Sequence, residues 1–328
     1  MKPPFLERSR ALFALVAASA VSTVALSSLA QDDALLPEFS LLPSIEKLNA
    51  AAPDSPGGGP EAVAFDGKSI WVGLQFSNTV TRISPVERVI DRPIVVGERP
   101  TAIVAEPAGI WVANLLGESV LKLNPADGAT LSKVSVTDGP GGLLFDGKNI
   151  WVSQRTGQRV SKIDAASGRL LGSFAVGSRP LGMAFDGSSV WVANQHDDTV
   201  TRLDASDGRL LGTFAVGDGP FGVAFDGKSI WVTNYFSRSV TQLDIKDGRA
   251  IGTYPVGDGA SGILFDAGRL WVANSGDHTL MELDPASGKV ITTLHTGRSP
   301  FGIASDGERL WIANAGSDSL SIHSLVKR

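Results

Sequence analysis

The chain contains no cysteine. That absence excludes disulfide bridges, thiolate metal sites and a lipid-modified N-terminal Cys. A basic excess is also missing: 29 Lys and Arg stand against 34 Asp and Glu. Surfaces that bind nucleic acid normally carry such an excess, so a nucleic-acid partner is not favoured. No stretch beyond residue 30 is long and apolar enough to span a bilayer. No window shows the 3.6-residue apolar period of an amphipathic helix. The chain has only four histidines, and no Gly-x-Ser-x-Gly, phosphate loop or metal-spaced His cluster is present.

What the chain does have is one stretch written seven times. Ile-Trp-Val-Ala-Asn from Ile110 recurs with small changes from Ile70, Ile150, Val190, Ile230, Leu270 and Leu310. The tryptophans at 71, 111, 151, 191, 231, 271 and 311 are all the tryptophans of the protein, spaced 40 residues apart. A fixed period of this length marks a repeat architecture. Each repeat holds four strand-like runs. In the fourth, Leu181–Phe185, Val190–Ala193, Thr199–Leu203 and Leu210–Val216 are separated by Asp186-Gly187, a loop, and Asp207-Gly208. Asp-Gly between apolar runs is a hairpin signal. Four short antiparallel strands per repeat describe a propeller blade, so the expected fold is an all-β, seven-bladed β-propeller.

Details of the repeat agree. The second strand is apolar throughout, as expected where sheets pack on both faces. The second position of each first strand is small: Ala62, Ala102, Gly142, Gly182, Gly222, Gly262 and Gly302. Innermost strands crowd an axis, where a side chain would clash. The next position is apolar in every repeat (Val63, Ile103, Leu143, Met183, Val223, Ile263, Ile303), so no ring of carboxylates or histidines is written into the channel.

Residues 1–30 read as a signal peptide. Lys2, Arg8 and Arg10 precede an apolar run from Ala11 to Leu26, and Ser28-Leu29-Ala30 offers a cleavage site after Ala30. An uncleaved anchor is the competing reading. The whole chain carries −5, and removing this basic segment makes the rest more acidic. A periplasmic or secreted location is expected, with no membrane insertion of the mature chain. Residues 31–60 form a Pro- and Gly-rich leader, and 61–328 the propeller. The last repeat ends after three strands. An open ring would leave sheet edges unpaired, so the leader is expected to supply the closing strand, from Leu42–Ala51, with a short helix there as the rival.

Repeated residues read as scaffold. The tryptophans are core, the Asp-Gly pairs from Asp66, Asp146, Asp186, Asp226 and Asp306 are turns, and the Asn at 114, 194, 234, 274 and 314 fold back on their own loops. Function is expected where the repeat is broken. Two loop sets project on one face, from fourth to first strands and from second to third strands. They carry the candidate ligand-binding residues Arg155, Arg179, His196, Asp197, Phe221, Tyr235, Phe236, Arg238, His278 and Phe301. Exposed aromatics beside arginines have the character of a recognition surface. His196 with Asp197, and Asp277 with His278, are the only candidate acid–base pairs, and no catalytic residue or metal ligand is assigned.

The pattern Phe-Asp-Gly-x-x-Ile-Trp-Val-Ala-Asn, followed by a Val-Thr-x-Leu-Asp strand and Val-Gly-x-x-Pro-x-Gly, resembles the YVTN-type β-propeller repeat proteins over residues 60 to about 324. That resemblance implies an exported seven-bladed binding or surface protein. The chain is more distantly similar to the streptogramin B (virginiamycin B) lyase propellers. In those, a Pro-His-Gly motif and the Glu of Trp-Phe-Thr-Glu support metal-assisted ring opening. The matching positions here are Ser261, Phe301, Asn274 and Asn314. The expected function is therefore a monomeric binding module, without cofactor, for an unknown protein or small molecule. The alternatives are a divalent-metal-dependent lyase using His196 or His278, and a structural part of an envelope assembly.

Overall fold

The computed structural model describes residues 36–40 and 58–325. Its strands form seven four-stranded antiparallel sheets, one for each repeat. Blade 4 is typical, with strands Pro180–Phe185, Ser189–Asn194, Thr199–Asp204 and Leu210–Ala215 in that spatial order. No helix is found among the described residues, and hence none long and apolar enough to cross a membrane.

Burial follows the order of the strands. The second strand of blade 4 is buried at every position, whereas its fourth alternates between exposed and half-buried. Each tryptophan packs against the second strand of the following blade. Trp71 meets Ile110 and Val112, Trp191 meets Ile230 and Val232, and Trp311 returns to Ile70 and Val72 of blade 1. The core is therefore a cycle of seven inter-blade clusters. Around the axis the first strands of neighbouring blades meet, including Pro300–Ser305 of blade 7 and Pro60–Phe65 of blade 1.

The small residues of the first strands are required by that approach. A Cβ on Gly182 would lie 2.5 Å from the Phe221 carbonyl oxygen, one on Gly222 2.7 Å from that of Ser261, and one on Gly302 2.6 Å from that of Glu61. Backbone stands against backbone, and no rotamer change relieves such a contact.

The Asp-Gly turns do more than reverse the chain. Gly187 takes φ 96° at the first of the two turn positions, which an L side chain resists. Asp186 Oδ1 accepts from the backbone N–H groups of Ser188 and Ser189, and Oδ2 accepts from Trp191 Nε1 at 2.7 Å. The same indole bond recurs in blades 1, 3, 5 and 7. Burial works against the Asp186 carboxylate, but the bonds from Trp191, Ser189 and Ser188 outweigh it and hold its pKa below the ordinary value. In blade 2, Glu106 takes the role at 3.4 Å. Blade 6 departs: Asp266 accepts from Ser305 Oγ at 2.7 Å, and Trp271 Nε1 has no partner.

Two sequence expectations are corrected. The closing strand of blade 7 is Leu36–Ser40, which pairs antiparallel with Ser319–Ser324 through Leu36↔Ile322 and Phe39↔Leu320. It lies upstream of Leu42–Ala51, a segment outside the described residues, as is the signal peptide assigned to residues 1–30. The leader's lack of any match to the repeat hid its register. The repeated Asn does not fold back on its own loop. Asn194 is fully buried, its Oδ1 accepts from Gly177 N in the preceding inter-blade loop, and its Nδ2 donates to Thr199 and Thr201 of its own third strand. It is a clamp between blades.

Candidate functional site

The two loop sets are zipped together by backbone bonds that recur in every blade. Gln75, Leu115, Arg155, Gln195, Tyr235, Ser275 and Ala315 donate their N–H groups to the carbonyls of 59, 99, 139, 179, 219, 259 and 299, at 2.9 to 3.2 Å. This holds three sets of residues in register at the loop end, one residue of each set per blade. The first set is the residue before the first strand: Gly59, Arg99, Gly139, Arg179, Gly219, Gly259 and Ser299. All seven take positive φ. Four are glycine, which tolerates that conformation, whereas Arg99 at φ 57° and Arg179 at φ 53° adopt it against the preference of a side chain.

The second set opens the loops between second and third strands and holds Arg155 and Tyr235. The third set is the second residue of each first strand, Glu61, Thr101, Gly141, Leu181, Phe221, Ser261 and Phe301, and all of these but Ser261 line one space at the axis. Below it the interlocked small residues and the aliphatic layer from Val63 to Ile303 form an apolar floor. These walls enclose a cavity of about 230 Å³, lined by Glu61, Arg155, Phe221 and Phe301 above that floor. A second cavity of about 480 Å³ adjoins it, sharing Arg155 and lined also by Arg99, Arg179, Glu118, Leu115, Leu116 and His196.

Arg155 is the central group. Its side chain lies across Gly141, so closely that a Cβ there would overlap it. It reaches from blade 3 to blade 1, where Nη2 stands 3.4 Å from Glu61 Oε1. The side chain is 18% exposed, and its Nε is buried with no hydrogen-bond partner. Burial lowers its pKa below the ordinary arginine value, Glu61 opposes that, and the like charges of Arg99 and Arg179 add to the lowering. Arg99 Nε donates to Gln75 Oε1 at 3.3 Å, and Arg179 Nη1 lies 3.2 Å from His196 Nε2. Cations thus gather on the side of blades 2 to 4.

Aromatic rings occupy the other side. Phe221 lies 6.1 Å from Tyr235 and 6.0 Å from Phe301, between which the small buried Ser261 leaves room. Tyr235 meets Phe236 edge to face at 5.3 Å, and Phe236 is 66% exposed at the rim.

Three sequence candidates are committed to the rim itself. Asp197 Oδ2 accepts from Ser178 N at 2.6 Å, away from His196. His278 Nδ1 lies 3.2 Å from the Ser299 amide that donates to it and 3.0 Å from Ser275 O. Its position in the repeat is a left-handed cap, where Asn78 and Asp198 likewise accept from Arg99 N and Gly219 N. Neither proposed acid–base pair is therefore formed. Arg238 makes an exposed ion pair with Asp258 at 3.0 Å. Sequence reasoning missed Glu61 and the role of Gly141; the signal was the column of residues following Pro60, Pro100, Pro140 and their equivalents, which varies more than any other in the first strands. Among the described residues no three of His, Asp and Glu converge to hold a metal ion.

Solved propellers share this architecture. Kuenenia stuttgartiensis hydrazine synthase superposes with a TM-score of 0.74 at 18% identity, covering 84% of this chain and 98% of that one. A streptogramin B lyase gives 0.73 at 15%, covering 87% and 96%. Virginiamycin B lyase from Staphylococcus aureus gives 0.73 at 17%, covering 88% and 99%. At these identities the likeness concerns the fold. A search of the curated proteins returns no significant match. The family model described as outer membrane protein assembly factor BamB matches residues 117–263 and 196–324, together more than half of the sequence, and the chain belongs to that β-propeller family.

Proposed function

We propose that the protein is an exported binding module of the cell envelope that recognises its partner through the loop face around the axial cavity. The observation that carries this reading is the concentration of repeat-breaking cations and aromatics on that face, beside a cavity. The turns at the opposite end repeat nearly unchanged. Two arginines in left-handed conformations, where four other blades use glycine, add to it. The family match, to a protein named for outer membrane assembly, supports a protein partner in the envelope.

The lyase reading finds less support. Ser261 and Asn274, at two of the positions where those enzymes carry acid–base groups, are buried and bonded within the scaffold, to Pro300 O and to Gly257 N. The test is native mass spectrometry of the protein isolated gently from its host, with and without chelator, for wild type and Tyr235→Ala. A bound partner that survives chelation and is lost in the variant is expected. A chelator-sensitive divalent ion, with no partner, would overturn the binding reading in favour of the enzyme.

A further inference from the structure

The axial cavity combines three features that together specify a ligand. Its polar wall carries Arg155, whose buried Nε has no acceptor. A buried arginine N–H left unpaired is costly, because that donor has surrendered water without gaining an acceptor. Glu61 offers only a long contact at 3.4 Å to a different nitrogen of the same group. Arg99, Arg155 and Arg179 line this cavity and the adjoining one against Glu61 and Glu118, so the combined lining carries a small positive excess that favours a negative charge. The opposite wall is Phe221 and Phe301, and the floor is aliphatic.

We propose that this cavity binds an apolar carboxylate: one carboxyl group seated on Arg155, its aromatic or aliphatic body against Phe221 and Phe301. Arginine presents paired N–H donors that match a carboxylate's planar geometry. Glu61 argues for a single negative charge over a phosphate dianion, which it would repel. The cavity's 230 Å³ sets the scale to one ring or short chain, with the adjoining space by Arg99 and Arg179 open to whatever extends from it. A free acid and a peptide C-terminus share this chemistry. The inference rests on the reading of the loop face as the recognition surface, and adds the class of group that enters it.

The test is calorimetric titration of the purified chain with 3-phenylpropionate, its neutral amide, and a short peptide ending in phenylalanine with a free or amidated terminus. Binding of an acid, roughly 10-fold or more tighter than its amide, is expected. Arg155→Gln should abolish the preference, and Lys148→Ala on the opposite face should leave it unchanged. Whichever acid binds, small molecule or peptide, identifies the source. Should Arg155→Gln fail to fold, Arg179→Gln replaces it, with a several-fold loss expected. Equal affinity for acid and amide, or binding unchanged in the arginine variants, would overturn the proposal. So would the absence of acid binding; if native mass spectrometry still showed a Tyr235-dependent partner, the loop-face reading would stand without it.

Discussion

The two ends of the ring are built from the same repeat and used differently. At the turn end, the side chain that matters is nearly constant: an acid accepts the indole N–H of its blade's tryptophan in six of the seven blades. At the loop end, the backbone is just as regular, with the same inter-loop bonds in every blade and left-handed positions in register, yet the side chains diverge. Regular backbone with irregular side chains is what a recognition surface on a rigid frame requires. Stability should therefore be concentrated at the turn end and in the inter-blade clusters, and specificity at the loop end.

The most severe way to probe that division is through the core. Trp191→Ala empties a fully buried site between blades 4 and 5 and should cost about 3–5 kcal/mol, read from urea unfolding. Next comes the axis. Gly222→Ala drives a methyl group against the Ser261 carbonyl, and a loss of roughly 1–3 kcal/mol is expected by the same measurement. The turn end offers an internal contrast. Asp226→Ala strands the Trp231 indole and should cost about 1–3 kcal/mol, whereas Asp266→Ala removes no indole bond and should cost less.

Acid sharpens the same point. The folded-state pKa of Asp186 is depressed, so its stabilisation is present above the ordinary carboxylate value of about 4 and is lost as pH falls through the folded value. His323 acts at higher pH: burial lowers its pKa, so the unfolded state takes the proton first and stability declines as pH falls below about 6.5. Melting temperatures of Asp186→Asn and His323→Gln across this range should lose one component each. The smallest effect belongs to the loop end. Arg179→Gly exchanges a left-handed arginine for the residue four blades already use, and its stability should change by no more than about 1 kcal/mol.

Much of this frame was legible in the sequence because a 40-residue period repeats both the tryptophan and the turn. The small residue two places after Pro60 and its equivalents, from Ala62 to Gly302, already pointed to the crowded axis. Leu36–Ser40 was not legible, since a closing strand that comes from outside the repeat shares none of its pattern. At the site, Phe221, Phe301, Arg155 and Arg179 stood out as interruptions of a regular column. The Arg155–Glu61 pair did not, because its partners are 94 residues apart and meet only across a closed ring. His278 misled for a local reason. A histidine beside an aspartate suggested acid–base chemistry, but its column also holds Asn78, Asp198 and Asp318, residues that tolerate left-handed backbone and cap amides.

The central claim is that recognition belongs to the loop face. Photo-crosslinking in the host envelope tests it most directly, with benzoylphenylalanine placed at Phe236 or Leu116 on the rim and at Lys148 or Lys228 on the turns. Discrete crosslinked species from the rim positions alone are predicted. Crosslinks from the turn positions, with none from the rim, would contradict the account.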